Sequence, residues 1–253
     1  MKTSYKLILA YKGTNYSGWQ FQTTNSETVQ NYVEKVLSSI TSYQKFQVIG
    51  ASRTDTGVHA SGQVLKVVLP RDIAPHKLLL GMNSKLPSDI RVLSASYIDE
   101  KFNVNLHTES KEYHYYFSSK QVSHSNLNEI IYYHPESLNI DKMKHACEVL
   151  NGSHNFSGFS VESSTDGNPF REIFTATIEQ TSFPPFNNEI YYLKIVGSGF
   201  LKYMVRYLMF ALFEIGKGSL EISDFKKILT DGREDYKLKK APPHGLHLMH
   251  ISY

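Results

Sequence analysis

A carboxylate and a guanidinium stand two residues apart in the stretch Gly50-Ala51-Ser52-Arg53-Thr54-Asp55-Thr56-Gly57-Val58-His59-Ala60. Asp55 is the group expected to carry the chemistry, since a turn anchored between strands holds its carboxylate in a defined direction. Thr54, Thr56 and Gly57 favour a tight turn, because hydroxyls bond local backbone and glycine tolerates a positive φ. The plain alternative for an isolated Asp-x-Gly is an Asx-turn that only closes a strand. Arg206 is a second candidate. It sits in the middle of an apolar stretch, Phe200 to Ile215, whose pattern predicts a buried helix. A guanidinium there needs a carboxylate, a ligand or an exit to water, because burying it unpaired costs several kcal/mol. Tyr113, in Lys111-Glu112-Tyr113-His114-Tyr115, fits by itself an alternating strand position. Arg233, Lys237, Lys239 and Lys240 crowd one loop, which suits either a solvated surface or a phosphate contact. His244, His247 and His250 are spaced three apart. On a strand such residues alternate faces, so no metal site is expected from them. Trp19 is expected as a partly buried anchor of its loop.

These groups need a scaffold, and the chain is long enough to supply one. It has 253 residues, 41% of them apolar, enough for one large domain or two lobes with a full core. The single Cys147 falls in a helical pattern with Met143, Ala146 and Leu150, which predicts a core thiol in a reducing compartment rather than a disulfide framework. The first residues show no secretory signal, and no apolar run is long enough to span a bilayer. A cytoplasmic location is expected. A net charge of +3 permits a polyanionic partner without demanding one.

The first hundred residues predict strand (Ser4 to Tyr11), helix (Val29 to Ile40), strand (Phe46 to Ala51), strand (Gly62 to Leu69), helix (Pro75 to Ser84) and strand (Ile90 to Ile98). That order is a ferredoxin-like βαββαβ unit. Asp55 then lies between two strands, where a sheet can present it. The remainder repeats the pattern: strand (Lys111 to Phe117), helix (Asp141 to Leu150), strands (Arg171 to Gln180, Ile190 to Gly197), helices (Phe200 to Ile215, Ile222 to Leu229) and strand (Gly245 to Tyr253). The expected class is α+β, with two lobes, 1–105 and 106–253, whose sheets join around a cleft. Asn15 to Thr28, Ser118 to Asn139 and Gly152 to Pro169 are expected as long loops.

Five segments, taken in order, resemble the tRNA pseudouridine synthase A family. They are Tyr11-Lys12-Gly13-Thr14-Asn15-Tyr16-Ser17-Gly18-Trp19-Gln20, Ser52 to Ala60, Lys111 to Tyr115, Gly199-Phe200-Leu201-Lys202-Tyr203-Met204-Val205-Arg206, and Ala241-Pro242-Pro243-His244-Gly245-Leu246-His247-Leu248. The resemblance implies the pseudouridine synthase fold, two lobes on a shared antiparallel sheet. It also implies isomerisation of uridine to pseudouridine in the anticodon arm of tRNA by a homodimer that needs no metal or organic cofactor. Carried over, Asp55 is the nucleophile, Tyr113 packs on the target base, Arg206 pairs with Asp55, and Arg53 contacts the RNA backbone. Lys237, Lys239 and Lys240 are added as local RNA contacts. Ser52 replaces a frequent Gly of the family, Tyr203 a frequent His, and Asn105 a frequent basic residue. Two other classes compete. Asp55-Thr56-Gly57 spells the aspartic protease motif, but one copy would require a dimer to supply the second carboxylate. A tandem RNA-binding protein would share the ferredoxin-like units, yet the aromatic strand signature of such modules is missing.

Overall fold

Tyr5, Leu7, Leu9 and Tyr11 alternate with partly exposed neighbours, and this two-residue period forms strand β1 (Thr3–Tyr11) with one face fully buried. The structure, a computed structural model, describes residues 2–22, 27–119, 125–161, 167–183, 186–231 and 237–253. Two compact units emerge: Met1–Glu109 together with His247–Tyr253, and Ser110–Leu246.

In the first unit, β1 is followed by α1 (Val29–Ile40), β2 (Gln47–Gly50), β3 (His59–Leu69), α2 (Pro75–Asn83) and β4 (Ile90–Tyr97). Helix α1 starts where Thr28 accepts a bond from the Asn31 N–H, and it buries Val29, Val33 and Leu37 completely. Each such side chain contributes about 1.5–3 kcal/mol by leaving water. Antiparallel pairing of β1 with β3 and β4, and of β2 with β3, gives the order β4-β1-β3-β2 of the expected βαββαβ unit.

The second unit holds β5 (Ser110–Ser118), the two-residue β6 (Tyr132–Tyr133), α3 (Ile140–Glu148), β7 (Gly152–Asn155), β8 (Phe170–Phe183), β9 (Phe186–Gly197), α4 (Met204–Lys217) and α5 (Ile222–Asp231). Its antiparallel order is β5-β9-β8-β7, with β6 parallel to β5. One face of β5 presents Tyr113, Tyr115 and Phe117 to the core, and the rings of Tyr115 and Phe117 both meet Phe213 of α4 edge-on. The last strand, β10 (Leu246–Ser252), pairs parallel with the start of β3. The outer edge of β3 is thus shared. Its Leu65–Val68 portion bonds β2, and its first residues bond β10.

The class is α+β, as expected. Three local expectations change. The loop Gly152 to Pro169 contains β7 and a 3-10 turn at Ser157–Phe159, and the loop Ser118 to Asn139 contains β6, while 23–26, 120–124 and 162–166 lie outside the described residues. Trp19 is not partly but wholly buried, at 1% exposure, because it closes against Gly50 of β2. Helix α4 begins at Met204, not Phe200, because Tyr203 adopts a left-handed φ of 66° that no helix continues through. Arg206 therefore lies in the first turn of α4 rather than at its middle. Cys147 is a core thiol, and burial pushes its pKa up to about 12. Among the described residues no helix is long and apolar enough to cross a membrane.

Candidate active site

The Asp55 loop links β2 to β3 and is tied down at every turn of its backbone. On the incoming side the Ala51 N–H donates to Val64 O, and the fully buried amide of Gln63 bonds Ser52 twice: Ser52 N to Gln63 Oε1 at 3.2 Å and Gln63 Nε2 to Ser52 O at 2.6 Å. Gln63 thereby replaces the ladder partner that Ser52 would have in a continuing strand. On the outgoing side, Ala60 pairs with Tyr11 of β1 and Leu248 of β10. The turn itself is closed by Val58 N–H donating to Asp55 O at 3.1 Å, with Gly57 at φ 78°, the conformation its lack of Cβ permits.

A second loop, Lys12 to Gln20, lies directly on that turn. Trp19 N–H donates to Thr54 O, Gly57 N–H donates to Tyr16 O, and the Tyr11 and Thr54 hydroxyls share a 2.7 Å bond. Gly13 N–H donates to Nδ1 of His59 at 3.0 Å, which fixes the His59 tautomer with its proton off Nδ1. The His59 ring stacks on His247, 4.5 Å between centroids. Closeness of approach explains the glycines of the first motif. A Cβ on Gly13 would stand 2.0 Å from Val58 O, and one on Gly18, already at φ 88°, would stand 2.5 Å from Thr54 O. Two motifs far apart in sequence are therefore one object, a backbone clamp around a half-exposed Asp55. Arg53 and Thr56, on either side of it, face solvent.

Tyr113 and Arg206 belong to the other unit. Tyr113 pairs with Ile195 across β5 and β9, is 6% exposed, and meets the Phe200 ring edge-on at 5.1 Å. Two residues earlier on the same strand, Lys111 is pushed down to about 8 by burial. Arg206 is 9% exposed; its Nε donates to Ala241 O at 2.7 Å, and its backbone O accepts from Ala241 N–H at 3.0 Å. The next carbonyl, Pro242 O, accepts from the Tyr115 hydroxyl at 2.9 Å, and a Cβ on Gly245 would strike the Tyr115 ring at 2.7 Å. The closing motif is held against α4 and β5 by these contacts, which accounts for its glycine.

The expected RNA-binding lysines Lys237, Lys239 and Lys240 are all exposed, while Arg233 lies outside the described residues. Lys240 Nζ stands 4.2 Å from the centroid of Tyr203. His244 packs edge-on against Tyr132 and His247 stacks on His59; among the described residues no three metal-ligating side chains come together. Sequence reasoning missed the special backbone of Tyr203 and the depressed Lys111, both of which depend on tertiary surroundings. It noticed Tyr203 only as a departure from a frequent His.

The family profile described as tRNA pseudouridine synthase matches residues 7–105 and 146–253. The chain is 41% identical to tRNA pseudouridine synthase A 2 of Desulfotalea psychrophila over 98% of its own length and 97% of that protein. It is 38% identical to tRNA pseudouridine synthase A of Phytoplasma mali over 99% and 98%, and 33% identical to the protein of that name in Lacticaseibacillus casei over 99% and 100%.

Proposed function

The chain belongs to the tRNA pseudouridine synthase family, and we propose that it isomerises uridine to pseudouridine in tRNA with Asp55 as nucleophile. The supporting observation is the clamp around Asp55, which holds its backbone from both sides while leaving the residue half-exposed. Such a group suits attack on a carbon of a bound nucleoside, because orientation is supplied before the substrate arrives. A protease or a pure RNA-binding protein finds no support in the family or in these relatives.

In the reaction the C1′–N1 bond breaks, the uracil rotates, and C1′ bonds to C5. The proton leaves C5 and N1 gains one, so no atom is gained or lost. Asp55 acts either by attack on C1′ as uracilate departs or by addition to C6 of the ring; both need a carboxylate within contact distance. As the resemblance implies, we take Arg206, whose Nε is engaged by Ala241 O, as the ion-pair partner of Asp55. This pair would fix the Asp55 rotamer. Tyr113 packs against the flipped base and its hydroxyl assists removal of the C5 proton. Flipping costs a few kcal/mol of unstacking, which phosphate contacts from Arg53, Lys237, Lys239 and Lys240 help to offset.

The proposed substrate region is the anticodon arm and the proposed assembly a cytoplasmic homodimer. A net charge of +3 per chain gives one copy little long-range attraction for RNA, and two copies pool it. The test is release of tritium to water from tRNA labelled at uridine C5, since C5 must lose its hydrogen before it joins C1′. Release by the purified protein supports the reaction; binding of tRNA without release would leave only an RNA-binding protein.

A further inference from the structure

We propose that Lys202, Tyr203 and Lys240 form a preassembled cradle for an RNA backbone phosphate beside the catalytic Arg206. This rests on the function proposed above. Three cationic groups surround one aromatic ring: Lys240 Nζ at 4.2 Å from the Tyr203 centroid, Lys202 Nζ at 5.2 Å and Arg206 Cζ at 5.6 Å. Lys202 and Lys240 are exposed and Tyr203 is half-buried. Among the described residues neither lysine has a carboxylate within ion-pair distance.

Like charges gathered on one ring repel each other, and the negative face of the ring is what holds them. Lysines left to themselves sample many rotamers, and ordering them at the moment of binding weakens a phosphate contact. Tyr203 removes part of that cost in advance. The backbone is consistent with such a task, because a non-glycine residue at φ 66° carries strain that a glycine or asparagine would avoid. The chemistry that satisfies two ammonium groups at once is a multiply hydrogen-bonding anion, and in a tRNA that anion is a phosphodiester. Since Arg206 shares the ring, the phosphate bound would be one near the target nucleotide, and Lys240 would be separated in role from Lys237 and Lys239.

The experiment compares equilibrium tRNA binding across a salt series, with KM and kcat, for Lys202→Gln with Lys240→Gln, for Tyr203→Leu and for Tyr203→Phe. The two lysines are exposed, so their replacement tests the cradle without threatening the fold. The double variant should have a salt slope shallower by about 0.7–0.9, the loss of one neutralised phosphate, and its KM should rise by a larger factor than its kcat falls. Tyr203→Leu should weaken binding although no charge changes, and Tyr203→Phe, which keeps the ring, should restore it. An unchanged slope in the double variant overturns the cradle. So does wild-type affinity in Tyr203→Leu. Loss of slope in a protein that binds tRNA but releases no tritium would uphold the cradle and defeat the proposed reaction instead.

Discussion

The Asp55 loop and the start of α4 each place one charged side chain, and they are built in opposite ways. At Asp55 the order comes from backbone meeting backbone: Gly18 lets one loop approach within a distance that any Cβ would forbid, and the positive φ values fall on Gly18 and Gly57. At Arg206 the order comes from side chains, with Nε bonded to Ala241 O and the Tyr203 ring beside the guanidinium. There the left-handed position is filled by tyrosine, which pays in strain for the presence of its ring. A nucleophile must not drift, so a rigid peptide clamp suits it. A charge partner and a phosphate contact tolerate, and use, the adaptability of side chains.

The sharpest way to break this contrast is Arg206→Ala. It should abolish most activity if Arg206 serves Asp55 as proposed, and lower stability by about 1–3 kcal/mol, because it leaves Ala241 O without its donor. Denaturant unfolding and single-turnover kinetics check both parts. Wild-type stability would show that Arg206 is not a buried partner. Tyr113→Phe comes next. Loss of the hydroxyl should cut the rate by about 10²–10⁴ if it moves a proton, with tRNA binding retained; a near-normal rate would confine Tyr113 to packing.

Gly18→Ala probes the clamp. Its methyl group meets Thr54 O at 2.5 Å and its φ is 88°, so a destabilisation of about 1–3 kcal/mol and a lower kcat are expected together. A stable variant whose kcat falls would still tie the clamp to catalysis, whereas a destabilised variant of normal kcat would separate them. The smallest effect concerns Lys111. Burial lowers its pKa to about 8 in the fold, so between that pH and its ordinary value near 10.5 the unfolded chain holds more protons. Stability contributed by this site should therefore rise with pH across that window. Lys111→Met should show no such rise in melts taken from pH 7 to 11.

Much of the scaffold was legible because its signals are local. Helix α1 is bounded as Val29 to Ile40 by the recurrence of Val29, Tyr32, Val33, Val36, Leu37 and Ile40 on one helical face, and the structure returns those limits. The α4 boundary was hidden, since Phe200 and Leu201 extend the apolar pattern through a turn that only the dihedral of Tyr203 reveals. Strand β7, Gly-Ser-His-Asn, has no apolar alternation and owes its form to pairing with β8. In the site, Gly57 was readable as a turn glycine. Gly13 and Gly18 were not readable as contact glycines, because what they touch, Val58 and Thr54, lies about forty residues away in sequence. Gln63 was hidden although it is only 11 residues from Ser52, because no motif marks the residue that holds Ser52 by two bonds.

The central claim is that Asp55 is the nucleophile, and one measurement bears on it most directly: tritium release from C5-labelled tRNA by Asp55→Asn beside the wild type, with tRNA binding measured on both. The amide keeps the size of the side chain and loses the charge the reaction needs. The account predicts binding close to that of the wild type and no release above background. Sustained turnover by Asp55→Asn would contradict it.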